Sequence, residues 1–332
     1  MLEDFLKNSV KKTIPSLIDK TGLYDRAIHA GDKKLIVPMY HRIITNPDDD
    51  PFKLGMCINN ETFDNQLSYF KNNFTSIRLS NYRDKSNGAN NPPMISITFD
   101  DGYKDNIDIA MPLLNKHNLD CTFFICCTVL GNDKEFWWDI IINAFSATTV
   151  KVVDLTQLSI KLNIRPFKLT VFNKKKHCQA ILDSLWKESD IEAIYDAAYQ
   201  IEDVLLGYRQ VIPKMDENDI RTLHTNGFEI AAHSLTHPNM NLIPPEQQLL
   251  ELKKSKNILE DIIGDVINGF AYPAGHESEQ LIQQVKASGY KYAVGTRKGV
   301  NRNFNPFSIE RFGVAESSVS DMKRSIYNYC KL

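Results

Sequence analysis

Two carboxylates stand side by side, Asp100 and Asp101, between the apolar run Ile95-Ser96-Ile97-Thr98-Phe99 and Gly102. Unpaired buried charge is heavily penalised, so a core strand that ends on two acids needs something to compensate them. Neighbouring carboxylates repel, and such pairs share a proton or a cation. Much later come His233 and His237, four positions apart, able to share one ion if the segment between them turns helically. Two imidazoles and one carboxylate leave coordination positions open, which suits catalytic zinc or non-haem iron. A zincin-type site needs Glu directly after the first His, and position 234 is Ser, which excludes that arrangement. Metal-assisted hydrolysis is the chemistry these residue types support.

Groups of this kind must be held by regular elements. Leu35 to His41 reads as a first buried strand, followed by a helix through Phe63, Leu67 and Phe70 with Asn60 as its cap. Phe74 to Leu79, Met94 to Phe99 and Cys121 to Ile125 read as further strands, with a helix around Ile107 to Leu114. From about residue 132 to 213 the pattern turns more helical and more charged, opening on Phe136-Trp137-Trp138-Asp139, and reads as an insertion. Alternation then resumes: helix Glu217 to Thr225, strand Phe228 to Ala232, helix Pro245 to Ile263, strand Val266 to Tyr272, helix Ser278 to Ser288, strand Tyr290 to Gly295. Such βαβ spacing predicts a mostly parallel sheet. In these architectures reactive groups gather at the carboxyl ends of strands, and both the Asp pair and the His pair follow a strand.

At 332 residues with 42% hydrophobic content, the chain can bury a large core as one α/β barrel with insertions. A net charge of -2 and a pI near 6.5 leave no electrostatic footprint for nucleic acid. The six cysteines form no C-x-x-C pair, a usage that suits a reducing compartment. The first residues carry early acids and no long apolar core, so they do not read as a secretory signal. The expected location is therefore cytoplasmic, with the inner face of the membrane included. Leu2, Phe5, Leu6 and Val10 make one helical stripe beside Lys7, Lys11 and Lys12. That stripe either packs on its own domain or gives residues 1–14 a peripheral membrane contact. Residues 1–34 read as an N-terminal helical segment, and 35–332 as one domain interrupted at about 132–213.

Thr98-Phe99-Asp100-Asp101-Gly102 and His233-Ser234-Leu235-Thr236-His237 together resemble the T-F-D-D-G and H-[ST]-x-x-H motifs of the polysaccharide deacetylases, carbohydrate esterase 4, with the NodB homology domain. A third motif, R-x-P-Y-G, is matched partly by Ala271-Tyr272-Pro273-Ala274-Gly275, and Met39-Tyr40-His41-Arg42 resembles one bacterial branch. The resemblance covers roughly residues 35–131 and 214–315. It implies a distorted, incomplete (β/α) barrel of about seven strands, with a helical insertion. It also implies removal of N-acetyl groups from an amino sugar of a polysaccharide or of its lipid- or nucleotide-linked precursor. Asp100 would be the general base; Asp101, His233 and His237 would hold a divalent metal, Zn2+ first and Co2+ or Ni2+ as alternatives. Tyr103 would supply an oxyanion N–H, with Tyr272 and Pro273 beside the substrate.

Two departures from the pattern matter. Ala271 and Ala274 replace the motif-three Arg and Tyr, and Arg311 in Phe307-Ser308-Ile309-Glu310-Arg311 stands where a proton-donating His is expected. A guanidinium is a poor acid, so Arg311 is expected to pair with Asp100, leaving proton donation to His41, to His276 or to Asp100 itself. Two other functions stay open: a related C–N amidohydrolase on a non-sugar substrate, and a carbohydrate-binding protein that has lost turnover. Trp137 and Trp138 can stack on a sugar ring or be buried at the root of the insertion. Asp48-Asp49-Asp50 lacks the EF-hand glycine and closing Glu and reads as a solvated turn. Lys174-Lys175-Lys176 reads as an exposed face.

Overall fold

A computed structural model describes residues 18–30, 34–82, 93–131, 134–160, 162, 165–207, 211–302, 304–314 and 318–331. The stripe Leu2–Val10 lies outside the described residues. Seven parallel strands form the main sheet, in the order Tyr292–Val294, Gly269–Ala271, Glu229–Ala232, Cys121–Ile125, Ile97–Phe99, Pro38–Tyr40 and Phe312–Gly313. The sheet curls into the incomplete (β/α) barrel that the resemblance implies. Residues 309–313 stitch its two edges. Ile309 bridges Val294 on one side, and Phe312 pairs with Pro38 on the other.

Strand and helix choice follow burial pattern. Cys121–Ile125 is buried at every position because helices cover one face and the barrel interior the other. The helix Asn60–Asn73 is capped by Asn59, not Asn60, through a 2.9 Å bond from the Glu61 N–H. It buries Phe63, Leu67 and Phe70, one stripe at helical spacing. A capping box of Asp216 and Asp219 starts the helix Glu217–Thr225. Only Gly269–Ala271 of the seven-residue run Val266 to Tyr272 is strand; Val266 is 59% exposed and belongs to the loop before it.

The middle segment builds its own core. Helices Trp137–Ala147, Lys174–Leu185 and Ile191–Leu205, with the antiparallel pair Val152–Val153 and Phe167–Lys168, enclose a cluster that includes Trp137, Phe145, Ile181 and Ile201. Gly207 lets the end of this segment pass against Ala144, where a Cβ would lie 2.6 Å from the Ala144 Cα. The cluster continues into the barrel through Tyr103, Cys126 and Val129. Among the described residues no helix is long and apolar enough to cross a membrane.

Candidate active site

Asp100 and Asp101 leave the carboxyl end of Ile97–Phe99, and His233 and His237 leave that of Glu229–Ala232, with Cys121–Ile125 between the two strands. The main chain is strained at this rim. Asp101 has φ +80° and the following Gly102 +98°, while Ser234 and His237 stand at +64° and +59°. The His233–His237 segment is therefore a tight loop, and the two imidazoles converge without a helical turn between them. Ser234 Oγ accepts the His237 N–H at 3.0 Å. The Glu251 carboxylate accepts the Leu235 and Thr236 N–H groups at 2.7 and 2.8 Å and the Thr236 hydroxyl at 2.7 Å. Glu251 was not visible as a site residue in the sequence, because it sits in the charged pattern of an ordinary surface helix.

The three candidate ligand atoms face one another. Asp101 Oδ1 lies 3.4 Å from His233 Nε2 and 3.5 Å from His237 Nε2, and the two Nε2 atoms are 3.1 Å apart. Tetrahedral bonds of ~2.0–2.1 Å give ligand–ligand edges of roughly 3.3 Å, so the cluster has the size of a zinc-type site. Asp101 Oδ1 is buried without a hydrogen-bond partner, as an oxygen reserved for a cation is. The His233 Nδ1–H donates to the Ala271 carbonyl at 2.9 Å, which leaves its Nε2 lone pair able to meet a metal ion. His237 is held differently, by ring contacts with Trp138, Trp186 and Phe136 at 4.7, 5.7 and 6.0 Å between centroids. Burial pushes the Asp101 carboxyl up, but the two imidazoles outweigh it and hold the group well below the usual range.

Asp100 and Arg311 form a bidentate pair, Nη1 to Oδ1 and Nη2 to Oδ2, both 2.7 Å. Arg311 is fully buried on the seam, where Nε donates to the Gly295 carbonyl at 2.8 Å. Burial alone would raise the Asp100 carboxyl; the guanidinium reverses this and keeps it ionised below the ordinary range. The replacement for the missing motif-three arginine thus arrives from a strand edge near the end of the chain.

These groups open into a cleft of about 270 Å³. Its lining includes His41, Asp100, Asp101, His233, His237, Tyr272, Ala274 and Gly275 from the barrel, and Trp138, Ile142, Leu182 and Trp186 from the middle segment. His41 is half-buried in the wall. His276 is exposed and does not line the cleft, because the turn Pro273–Gly275 carries it outward. Tyr272 reaches the cleft with its hydroxyl donating to the Phe307 carbonyl at 3.0 Å; Pro273 is buried behind Ala274. The Tyr103 side chain points away, to Asp139 and Trp138. Its bridge to Lys214 is bonded through Lys104 N–H to Pro213 O and Met215 N–H to Gly102 O, so the Tyr103 N–H takes no part in it. Trp137 is buried, and Trp138 has its face stacked on Phe136 at 4.3 Å, leaving Trp186 as the more accessible indole.

A family model described as polysaccharide deacetylase matches residues 87–147 and 167–293. The chain belongs to the polysaccharide deacetylase family. The match runs through much of the middle segment, beyond the 35–131 and 214–315 stretches that carry the motifs. A curated relative, the putative polysaccharide deacetylase YxkH of Bacillus subtilis, is 24% identical over 102 residues, which is 30% of this chain and 37% of that protein. The match thus spans little more than a third of that relative. Among solved structures, the deacetylase PplD of Streptococcus pyogenes in complex with acetate superposes with a TM-score of 0.59 at 17% identity, covering 89% of this chain and 99% of that one. IcaB of Ammonifex degensii gives 0.57 at 15% identity, covering 91% and 98%. At these identities the likeness to the family's structures is one of fold, and it matches the curled seven-stranded sheet.

Proposed function

We propose that this family member is a metal-dependent hydrolase that removes N-acetyl groups from an amino sugar of a polysaccharide or its precursor. One observation carries the reading. A single cleft joins an unbonded buried carboxylate oxygen and two converging imidazole nitrogens to a second carboxylate clamped by arginine. A divalent ion held by Asp101, His233 and His237, zinc or else cobalt or nickel, supplies a Lewis acid that makes water nucleophilic near neutral pH.

The chain's own residues do the rest. Asp100 stays ionised because of Arg311, and a carboxylate has about four lone-pair sites. Two of these face the guanidinium, leaving others to take the proton of the attacking water. The Tyr103 N–H, outside the Lys214 bridge, is the backbone donor for the tetrahedral oxyanion. Arg311 cannot release a proton, so the departing amine takes one from His41 in the cleft wall or back from Asp100, which holds the proton of the water. Acetate and the free amino sugar leave. Six unpaired thiols, five of them buried, support a reducing compartment, hence action on a lipid- or nucleotide-linked precursor at the inner face of the membrane. Cell fractionation that finds the protein outside would overturn that placement.

Acetate release from a panel of N-acetylated sugars, with metal content measured in parallel, tests the reaction. The expected result is a stoichiometric metal and turnover lost in Asp100→Asn. The apolar wall of Leu54, Met56, Ile142 and Leu182 favours a second reading, hydrolysis of a non-sugar amide. Turnover of small amides without any acetylated sugar would select it. Glycan binding by both wild type and Asp100→Asn, with no turnover by either, would select a binding protein.

A further inference from the structure

The turn that follows the strand Phe167–Lys168 carries two apolar side chains outward. Phe172 is 95% exposed and Val171 78%, and Val152, opposite Lys168 on the paired strand, is 61% exposed. Isolated exposed apolar residues are ordinary, but this tip is built to present them. Asn173 Oδ1 accepts the Thr170 N–H at 2.7 Å, and its Nδ2 donates to the Lys168 carbonyl at 2.9 Å. Lys174 ties the turn down by donating to the Ser146 and Thr148 carbonyls at 2.9 and 2.8 Å. Lys175 does so through the Lys53 carbonyl at 3.1 Å. A turn fixed in this way has little ordering left to lose on binding.

Charge is concentrated at the same place. Residues 165–176 carry Arg165, Lys168, Lys174, Lys175 and Lys176 and no acid, in a chain whose net charge is -2. Lys151, Lys168 and Lys176 are exposed. Apolar side chains at the point of contact with a basic surround are the composition that favours the headgroup–acyl boundary of an anionic bilayer. An acidic soluble polymer would use the lysines but has no need of Phe172.

We propose that this tip, Val171 and Phe172 ringed by Lys151, Lys168 and Lys176, docks the protein on an anionic phospholipid surface. The helix Lys174–Leu185 starts at the tip and supplies Gln179 and Leu182 to the cleft. Gln179 lies five residues beyond Lys174, a rise of roughly 7–8 Å. Docking therefore brings a cleft-lining helix to the lipid and suits a substrate anchored there. The docking itself does not depend on the proposed reaction.

Co-sedimentation of the full chain with phosphatidylcholine vesicles, with and without phosphatidylglycerol, reads the interaction. The expected result is binding to the anionic vesicles only, weakened by salt. It should fall about tenfold or more in the double variant Val171→Ser/Phe172→Ser and in Lys168→Glu/Lys176→Glu, both with unchanged thermal unfolding. Phe172→Trp should add a blue-shifted emission on anionic vesicles and none on neutral ones. The proposal is overturned if wild type ignores anionic vesicles. Undiminished binding by the Val171/Phe172 variant overturns it too, since contact would then lie elsewhere, residues 1–14 included. Equal retention of wild type and that variant by a soluble acidic polysaccharide, with no vesicle binding, has the same consequence.

Discussion

His233 and His237 face the same point but are supported in opposite ways. His233 belongs to the barrel: its Nδ1–H is bonded to a strand carbonyl, and nearby Asp100 is locked by a bidentate guanidinium. His237 leans on the middle segment, in contact with Trp138 and Trp186, and its Nδ1 is buried without a partner. Directional polar bonds fix the barrel side, and aromatic packing shapes the other. Chemistry and selection are divided along that line. Altering the barrel side should abolish turnover, whereas altering the wall should change which substrate is held.

The largest effect is expected at Asp100. Asp100→Asn keeps the shape and removes the proposed base, and kcat for acetate release should fall by about 10²–10⁴ with metal content unchanged. A rate within tenfold of wild type would break the assignment of the barrel side. Arg311→Met strips the partner from a buried carboxylate and should cost about 3–5 kcal/mol in denaturant unfolding, with a loss of turnover as well. Glu251→Gln removes the charge that accepts two N–H groups between the histidines. Metal affinity, measured by competition with a chelator, should weaken about 10–100-fold. The Trp186→Ala change in the wall should raise KM about tenfold and leave kcat nearly unaltered. Should kcat collapse instead, the wall is part of the catalytic apparatus and the comparison fails.

The smallest effect calibrates the rest. Asp64, on the helix Asn60–Asn73 and outside the cleft lining, is held below its ordinary range by hydrogen bonds from Lys116 and His117. A depressed carboxyl contributes stability above its unfolded pKa and loses it as pH falls through the folded one. Asp64→Asn should therefore cost under about 1 kcal/mol at neutral pH, since the pair is partly exposed, and nothing once the acid is protonated. Stability measured across that pH range checks the sign, and acetate release should not change.

Periodicity made much of the scaffold legible. Cys121–Ile125, Glu217–Thr225 and Pro245–Ile263 are as the sequence pattern delimits them, because each buries a continuous or evenly spaced apolar set. The short strand Phe312–Gly313 and the helix Val319–Lys331 were not legible. Two residues carry too little pattern, and the strand exists only because a sheet edge is waiting for it. The conformation of the loop between the histidines was not legible, since four-residue spacing looks the same whether the chain coils or turns with positive φ at Ser234 and His237.

By itself the sequence determined which groups are present and that they fall at strand ends: Asp100 and Asp101 after one apolar run, His233 and His237 after another. Strand alternation is a local property, so it can be read locally. What surrounds them follows from the folded chain alone. Arg311 reaches Asp100 across 211 positions of chain because the seam at 309–313 closes the curled sheet. Glu251 enters from a helix, and Trp186 from just past the end of another, whose own patterns describe nothing but burial and solvent. Partners so distant in sequence leave no periodic trace, and their identity is settled by which edges and faces the chain packs together.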